Sequence, residues 1–257
     1  MILYSPNPVA FSILDVSVFW YGIILACAVL SGVLYANYKC KDFSLPANFW
    51  IDNSPAVIIT GILGARLYYC LINAGYYVNY PGEILNIRQG GLSIHGMIIA
   101  GILYLYFLSK YKRIRFWNMT DSIACAIPLA QSIGRWGNFF NAEAFGVPTG
   151  GQWGLFIPLQ NRPEIYKNYE FFHPAFLYES IADIVIFIIL LILAKKSNLK
   201  TGTITLLYLI LYSLVRISIE AIRIDSTFNI GSVHIAQIIS GIIIATCLVV
   251  LIIRKYN

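Results

Sequence analysis

The sequence predicts an all-α polytopic membrane protein with about seven transmembrane helices, and three observations support this. Of the 257 residues, 58% are hydrophobic and only 12% are charged, whereas soluble domains carry roughly 25% charged residues. Apolar stretches of about 20 residues, the length that crosses a bilayer, recur along the chain. Lysines and arginines concentrate between these stretches. We therefore interpret the net charge of +6 through its position relative to the membrane.

Seven stretches have the length and apolar character of a membrane span. They are residues 16–35, 54–72, 92–108, 117–133, 174–194, 203–224 and 233–253. The opening lacks the basic segment, apolar core and small-residue cleavage site of a signal peptide, so the first stretch is predicted to remain as a span. We expect a single integral membrane domain over residues 1–257.

The positions of the cations predict the orientation of these spans. Eleven of the 18 lysines and arginines follow spans 1, 3, 5 and 7, which places them on one side of a seven-span protein. They are Lys39, Lys41, Lys110, Lys112, Arg113, Arg115, Lys195, Lys196, Lys200, Arg254 and Lys255. Short cytoplasmic loops collect Lys and Arg, so we expect an external N-terminus and a cytoplasmic C-terminus. The connection 134–173 is then external, and its aromatic content predicts a small folded cap between spans 4 and 5.

The most informative segment is 134–146, Gly-Arg-Trp-Gly-Asn-Phe-Phe-Asn-Ala-Glu-Ala-Phe-Gly, which begins where the fourth predicted span ends. Its glycines allow tight turns and close approach to a ligand. Arg135 offers a planar cationic fork for a phosphate, and Asn138 and Asn141 add neutral hydrogen-bond donors. Glu143 could orient the arginine or accept a proton. Composition alone equally allows an interfacial loop in which Arg135 and Glu143 simply pair.

A second candidate is His95, within Gly-Gly-Leu-Ser-Ile-His-Gly at the external end of the third span. It is one of three histidines in the chain. Imidazole titrates near neutral pH without special help, and His95 lies between glycines on the same predicted side as Arg135. These features make it a candidate base, although a hydrogen-bonded structural histidine is the alternative interpretation.

A third candidate is a charged stripe on the sixth span. Tyr212, Arg216, Glu220 and Arg223 are separated by 4, 4 and 3 residues, which places them on one helical face. A charge in mid-membrane costs about 2.5–3.5 kcal/mol, so we expect these side chains to pair and to face a polar cavity. The excess of arginine favours an anionic ligand, while a purely structural ion-pair network remains possible.

Weaker candidates fall at the same predicted membrane level. Glu179 opens the fifth span just after His173, and Asp183 follows on the same helical face. Arg66 approaches the external side late in span 2, and Tyr21 lies near the start of span 1. Together these residues predict a shared polar cavity that opens outward.

On these residues the sequence resembles the prolipoprotein diacylglyceryl transferase family. The family signature G-R-x-G-N-F-x-N-x-E-x-x-G is matched at every defined position of 134–146. Met97 and Phe176 depart from the family pattern, which there has a further glycine and a polar residue; neither touches the charged set. The resemblance covers essentially the whole chain. Its other segments are 20–22, 90–96, 173–179 and 212–223.

The resemblance implies a reaction and a set of site residues. The thiol of a lipobox cysteine, in the signal peptide of a prolipoprotein, attacks phosphatidylglycerol; a thioether forms and glycerol 1-phosphate leaves. This would be the first step of lipoprotein maturation, in the inner membrane of a bacterial cell with the N-terminus periplasmic. The implied catalytic residues are His95, Arg135 and Arg216. The implied substrate-binding residues are Tyr21, Arg66, Asn138, Asn141, Glu143, Gly146, Glu179, Tyr212, Glu220 and Arg223.

The source of the thiolate stays open at this point. A free thiol has a pKa near 8.5, so it needs either a base such as His95 or a positive field from the arginines. The substrate supplies the nucleophile, and the five scattered cysteines show no metal or disulfide spacing. We expect no metal, no cofactor and no nucleic-acid partner.

Two other functions remain as alternatives. A transporter or channel for an anionic solute would use the arginines as a path, but internal repeats are frequent in transporters and none is visible here. A lipid-binding scaffold without chemistry would leave His95 unexplained.

Overall fold

The computed structural model describes residues 1–14, 16–87, 90–195, 199–224, 229–230 and 233–256. Lys196, one of the cations used for orientation, lies outside the described residues. The chain forms two compact units. Unit 1 consists of Met1–Tyr35 and Ile123–Asn257, and unit 2 of Ala36–Ser122.

Helices make up most of the described chain. They are α1 (Trp20–Tyr38), α2 (Phe49–Ile72), α3 (Ala74–Tyr77), α4 (Ile94–Lys112), α5 (Phe116–Asn141), α6 (Ala175–Ala194), α7 (Thr203–Glu220) and α8 (Ile235–Tyr256). Short 3₁₀ helices cover Cys40–Phe43, Pro81–Leu85, Leu159–Asn161 and Glu164–Tyr166. Within unit 1, α7 packs against both α6 and α8.

The prediction of an all-α polytopic membrane protein is confirmed. Among the described residues, six helices are long and apolar enough to cross a membrane, namely α1, α2, α4, α6, α7 and α8. One further long helix, α5, has 26 residues but does not meet the same criteria of composition. It carries polar side chains along its length, and Asn118, Asp121, Ser122 and Ser132 are buried. Length and composition alone mark six spans. The helix α5 is long enough to be the seventh, and the predicted orientation, with the two termini on opposite sides, requires it to cross.

Three predicted boundaries are wrong for identifiable reasons. The fourth span was predicted to end at 133, but α5 continues to Asn141, so the first eight signature residues are helical. The signature glycines Gly134 and Gly137 therefore lie within the helix and do not form a turn. The sixth span was predicted to include Arg223, but α7 ends at Glu220. Residues 16–19 of the first predicted span form a strand, since Val16–Phe19 pairs with Val9–Ile13.

Close packing of small residues joins α2 to α4 in unit 2. A methyl group added at Gly64 would lie 2.2 Å from Ala100 Cβ, and one added at Gly96 would lie 2.3 Å from Gly64 O. The two backbones are therefore in direct contact, as in other membrane helix pairs built on small residues. The same contact places Tyr68 Cβ 2.4 Å from the position that a Gly96 Cβ would occupy.

The connection between α5 and α6 is a small folded element. Its hydrophobic core contains Phe145, Leu155, Ile157, Phe172 and Phe176. The predicted cap is therefore folded, but it begins after Asn141 instead of at 134.

Short strands complete unit 1. They are β1 (Ile2–Tyr4), β2 (Val9–Ile13), β3 (Val16–Phe19), β4 (Gly154–Phe156), β5 (Phe171–Phe172), β6 (Asn229–Ile230) and β7 (Val233–His234). The core of the cap lies under a sheet of order β1-β4-β5, in which the N-terminal strand β1 pairs parallel with β4. The strands β2 and β3, like β6 and β7, form separate antiparallel hairpins.

Candidate functional site

Three arginines converge on one buried carboxylate in unit 1. Glu179, in the first turns of α6, is only 4% exposed. Its Oε2 lies 2.5 Å from Arg135 Nε, and its Oε1 lies 3.1 Å from Arg223 Nη1 and 3.5 Å from Arg216 Nη1. The cations come from the end of α5, from α7 and from the turn after α7. A residue predicted as a weak candidate is therefore the centre of the arrangement.

A second buried carboxylate completes the cluster. Arg216 Nη2 lies 2.7 Å from Oε2 of Glu220, which is one helical turn further along α7 and 2% exposed. The three arginines and two glutamates carry one excess positive charge. We call these five residues, Arg135, Glu179, Arg216, Glu220 and Arg223, the arginine cluster.

The arginine cluster keeps part of its cationic surface accessible. The side chains of Arg135, Arg216 and Arg223 are 20%, 25% and 12% exposed, whereas the side chain of Glu179 is 5% exposed. Buried ion pairs of this kind contribute little net stability because desolvation opposes the attraction. The ion pairs instead hold three planar guanidinium groups in fixed positions, the kind of preorganised arrangement that can stabilise a negative charge.

Gly146 connects the cap to the arginine cluster. Its backbone N donates to His173 O at 2.8 Å, and the next amide, of Val147, donates to Ile222 O at 2.8 Å. A Cβ at Gly146 would lie 2.9 Å from both His173 Cβ and Ile222 O. The close approach requires glycine at this position. Gly146 also forms a β-bridge with Arg223, so the last signature glycine anchors the turn that presents this arginine.

Glu143 organises the signature asparagines. Its Oε1 accepts from Asn138 Nδ2 at 3.0 Å and from Asn141 Nδ2 at 3.4 Å. The flanking Ala142 and Ala144 have φ values of 50° and 54°, a left-handed conformation that strains a residue with a Cβ. The ion pair of Arg135 with Glu143 that the sequence allowed is not formed, because Arg135 pairs with Glu179.

The two aromatic candidates of unit 1 have different contacts, Tyr21 with a neighbouring helix and Tyr212 within its own helix α7. Tyr21, near the start of α1, packs on α5, where a Cβ at Gly137 would lie 2.9 Å from Tyr21 Cδ2. Tyr212 stacks on Tyr208 with ring centroids 5.9 Å apart, and Tyr208 OH donates to Gln131 Oε1 at 3.1 Å. Gly137 therefore serves close packing, a role that its small size predicts once the helix is known.

Asp183 was noted in the sequence for its spacing, but it was not assigned to the site. It is 1% exposed, and its Oδ2 has no hydrogen-bond partner among the described residues. Asp183 lies near enough to Arg135 and Glu179 to interact with both electrostatically. Only its position one turn after Glu179 could have signalled this from sequence.

His95 and Arg66 belong to unit 2. His95 lies in the first turn of α4, and its ring centroid is 6.1 Å from that of Tyr68. Arg66, predicted to bind substrate, is 8% exposed and instead donates to backbone carbonyls in the segment before α4. The hydrogen bonds described for Arg66 thus go to backbone, and its predicted contact with substrate stays a prediction.

No cysteine of the described chain resembles a nucleophile. All five are free thiols, and four of them are buried. Burial raises the pKa of the Cys40 thiol, which lies outside the helices α1 and α2. Within the described residues, no group of three or more His, Cys, Asp or Glu is arranged to hold a metal ion.

A sequence model of the prolipoprotein diacylglyceryl transferase family matches residues 8–253. The chain belongs to this family. Among similar proteins are three named phosphatidylglycerol–prolipoprotein diacylglyceryl transferase. That of Trichormus variabilis is 44% identical over 92% of this chain and 85% of its own length. That of Parasynechococcus marenigrum is 42% identical over 93% of this chain and 90% of its own length. That of Thermotoga maritima is 42% identical over 88% of this chain and 77% of its own length.

Membership confirms the family resemblance that residues 134–146 predicted. In this transferase-family chain the signature is the end of α5 followed by a strained turn and Gly146. Its two charged residues have separate partners, since Arg135 contacts Glu179 and Glu143 contacts the two asparagines.

Proposed function

We propose that this chain transfers the diacylglyceryl group of phosphatidylglycerol to the thiol of the lipobox cysteine in a prolipoprotein signal peptide. The observation that carries this proposal is the convergence of Arg135, Arg216 and Arg223 on the buried Glu179. The names of the similar proteins supply the two substrates.

The chemistry requires stabilisation of a leaving phosphate. The thiol gives up its proton, the sulfur forms a bond to the glycerol carbon, and the bond from that carbon to the phosphate oxygen breaks. The electron pair stays on the oxygen, so the phosphodiester with one negative charge becomes glycerol 1-phosphate with two. A preorganised cationic site stabilises such a developing charge. Arg135 and Arg216 are the residues we assign to it, with Arg223 beside them.

The remaining site residues bind and align the lipid in this proposal. Asn138 and Asn141, fixed by Glu143, offer neutral donors to the glycerol headgroup. Tyr21 and Tyr212 offer aromatic surface and hydroxyl groups. Gly146, Glu179 and Glu220 act by holding the arginines.

The proton of the thiol has two possible destinations. His95 is the simplest base, because a neutral imidazole accepts a proton near neutral pH. In the second route the field of the arginines stabilises the thiolate, and the proton passes to water. We propose His95 as the base; its test is a pH–rate comparison given in the Discussion.

The location of the reaction follows from the charge distribution. We propose that the N-terminus and the cap face the periplasm and that the C-terminus faces the cytoplasm, in the inner membrane of a bacterial cell. The excess of Lys and Arg in alternate connections supports this orientation. A transporter for an anionic solute is not favoured, since the similar proteins are named as transferases.

The direct test is a transfer assay with purified protein. Phosphatidylglycerol and a lipobox peptide should yield a peptide heavier by one diacylglyceryl group in mass spectrometry, together with glycerol 1-phosphate. A peptide with serine in place of cysteine is the control and should stay unmodified. Phosphatidylethanolamine should not replace the donor, because its ammonium would enter a site that already carries excess positive charge. Absence of any transfer from phosphatidylglycerol would refute the proposal.

A further inference from the structure

The guanidinium group of Arg66 is fully occupied by backbone carbonyls. Arginine has five N–H donors, and five hydrogen bonds leave this side chain. Nε donates to Ile84 O at 2.8 Å; Nη1 donates to Gly90 O at 3.0 Å and Gly91 O at 2.9 Å; Nη2 donates to Glu83 O at 2.6 Å and Asn86 O at 3.2 Å. The side chain therefore ties residues 83–86 and 90–91 to α2.

The surroundings of Arg66 fix this arrangement further. The guanidinium carbon lies 5.9 Å from the ring centroid of Tyr69 and 5.3 Å from that of Tyr77, within the range of cation–π attraction. A bidentate contact to a phosphate would use two of the five donors. Two carbonyls in a partly buried site would then lose the arginine as their donor, which is unfavourable.

Gly91 meets Arg66 from the other side. Its φ is +75°, and a Cβ there would lie 2.4 Å from Arg66 Nη1 and 2.8 Å from Tyr69 Cε1. Gly90 also has a positive φ, of +90°. Glycine is needed at position 91 both for this conformation and for the close approach of the guanidinium. The Gly-Gly pair before α4 is thus shaped to receive the arginine.

The residues around Arg66 also hold the start of α4. The carbonyl of Ala65 accepts from Ser93 N at 3.1 Å, and Ser93 is the residue that precedes the helix. Gly64 contacts the backbone of Gly96, and the ring of Tyr68 lies beside that of His95. Gly64, Ala65 and Arg66 of α2 therefore contact the backbone before and within the first turn of α4, where His95 lies.

We propose that Arg66 is a positioning residue for His95, and that it does not bind the phosphate of the lipid. By binding five carbonyls, those of Glu83, Ile84, Asn86, Gly90 and Gly91, it fixes the two glycines that shortly precede α4, and so the direction in which the imidazole leaves the helix. This inference rests on the proposed function, because it takes His95 to act in the transfer reaction.

The kinetic test separates positioning from phosphate binding. Arg66→Gln should lower kcat at least tenfold and leave KM for phosphatidylglycerol within twofold, because the lipid site is intact. Arg66→Lys should resemble Arg66→Gln, since an ammonium has three donors and cannot satisfy five carbonyls. In a His95→Gln background, Arg66→Gln should lower kcat less than twofold further, because both changes remove the same contribution. A tenfold rise in KM with unchanged kcat would overturn the proposal, as would additive losses.

Hydrogen–deuterium exchange tests the same proposal without an activity assay. Hydrogen–deuterium exchange of the purified, substrate-free protein should be at least tenfold faster over residues 83–93 in Arg66→Gln than in wild type. Exchange over residues 135–146 in unit 1 should be the same as in wild type, which would show that the variant is folded. Gly91→Ala, which displaces the guanidinium from the loop side, should give the same pattern if Arg66→Gln does not fold. Unchanged exchange at 83–93 would overturn the proposal, even if the transfer reaction itself is confirmed. The expected exchange pattern in an inactive protein would count against the proposed function instead.

Discussion

At the scale of single residues, Glu179 is the contact that the three arginines of unit 1 share. Its buried carboxylate offsets part of the positive charge of three guanidinium groups and holds them close together. Without it, Arg135, Arg216 and Arg223 would repel one another in a site that is largely removed from water. The position of one carboxylate thus brings three cations together, as the proposed phosphate site requires.

His95 is the residue whose role a pH–rate profile decides. If it is the base, the imidazole must be neutral to accept the thiol proton, so transfer should rise with pH along an acid limb. His95→Gln retains hydrogen-bonding capacity but cannot take up the proton. We expect it to lose most of the rate, roughly 10²–10⁴-fold, together with the acid limb, at saturating lipid and peptide.

The control for this comparison is His234→Gln in β7, outside the predicted site, which should keep the wild-type profile. If His95→Gln retains the acid limb and most of the rate, His95 is structural. The thiolate would then come from the field of the arginines.

At the scale of elements, the contact of α2 with α4 depends on backbone proximity. Gly96→Ala should destabilise the folded protein by about 1–3 kcal/mol, because the added methyl group overlaps Gly64 O and Tyr68 Cβ. Gly101→Ala on the same helix is the matched control, since a Cβ there meets nothing within 4 Å. Thermal unfolding in detergent should show a lower Tm for Gly96→Ala and an unchanged or higher Tm for Gly101→Ala. Equal Tm values would contradict close packing.

Element existence was predictable from hydropathy, whereas element ends were not. Seven predicted stretches correspond to seven long helices, because apolar length is a strong signal. The end of α5 was misplaced because Gly134 and Gly137 suggested a turn, while packing such as that of Tyr21 on Gly137 stabilises the helix. The same limit applies to Arg223, which reaches Glu179 from beyond α7 although helical spacing had placed it on the stripe.

The sequence predicted which residues belong to the candidate site better than it predicted which residues they contact. The signature and the charged stripe identified Arg135, Arg216 and Glu220, because charges in apolar stretches need partners. Sequence could not show that Glu179 joins the arginines, since they approach it from other elements. It also could not show that Arg66 is saturated, because carbonyl acceptors carry no side-chain signal.

At the scale of the whole molecule, the orientation in the membrane is testable by labelling. Single cysteines introduced at Lys41, Arg113, Lys196 and Asn161, in a background where Cys40 is replaced, can be exposed to an impermeant thiol reagent on intact cells. Only position 161 should react, because the other three lie in the predicted cytoplasmic connections. Disrupted cells should allow labelling at all four positions, which controls for reactivity. Reaction of position 113 from outside would refute the orientation.

If a preformed guanidinium site stabilises the leaving phosphate, replacing Arg135 by lysine should remove most of the activity. Lysine retains the charge but not the planar fork. The control is Arg162→Lys, because Arg162 donates to Ile157 O and Lys167 O in the cap and has no contact with Glu179 among those described. The measurement is the turnover of phosphatidylglycerol and lipobox peptide by both variants beside wild type. We expect a loss of roughly 10²–10³-fold for Arg135→Lys and near wild-type turnover for Arg162→Lys. Near wild-type turnover of Arg135→Lys would contradict it.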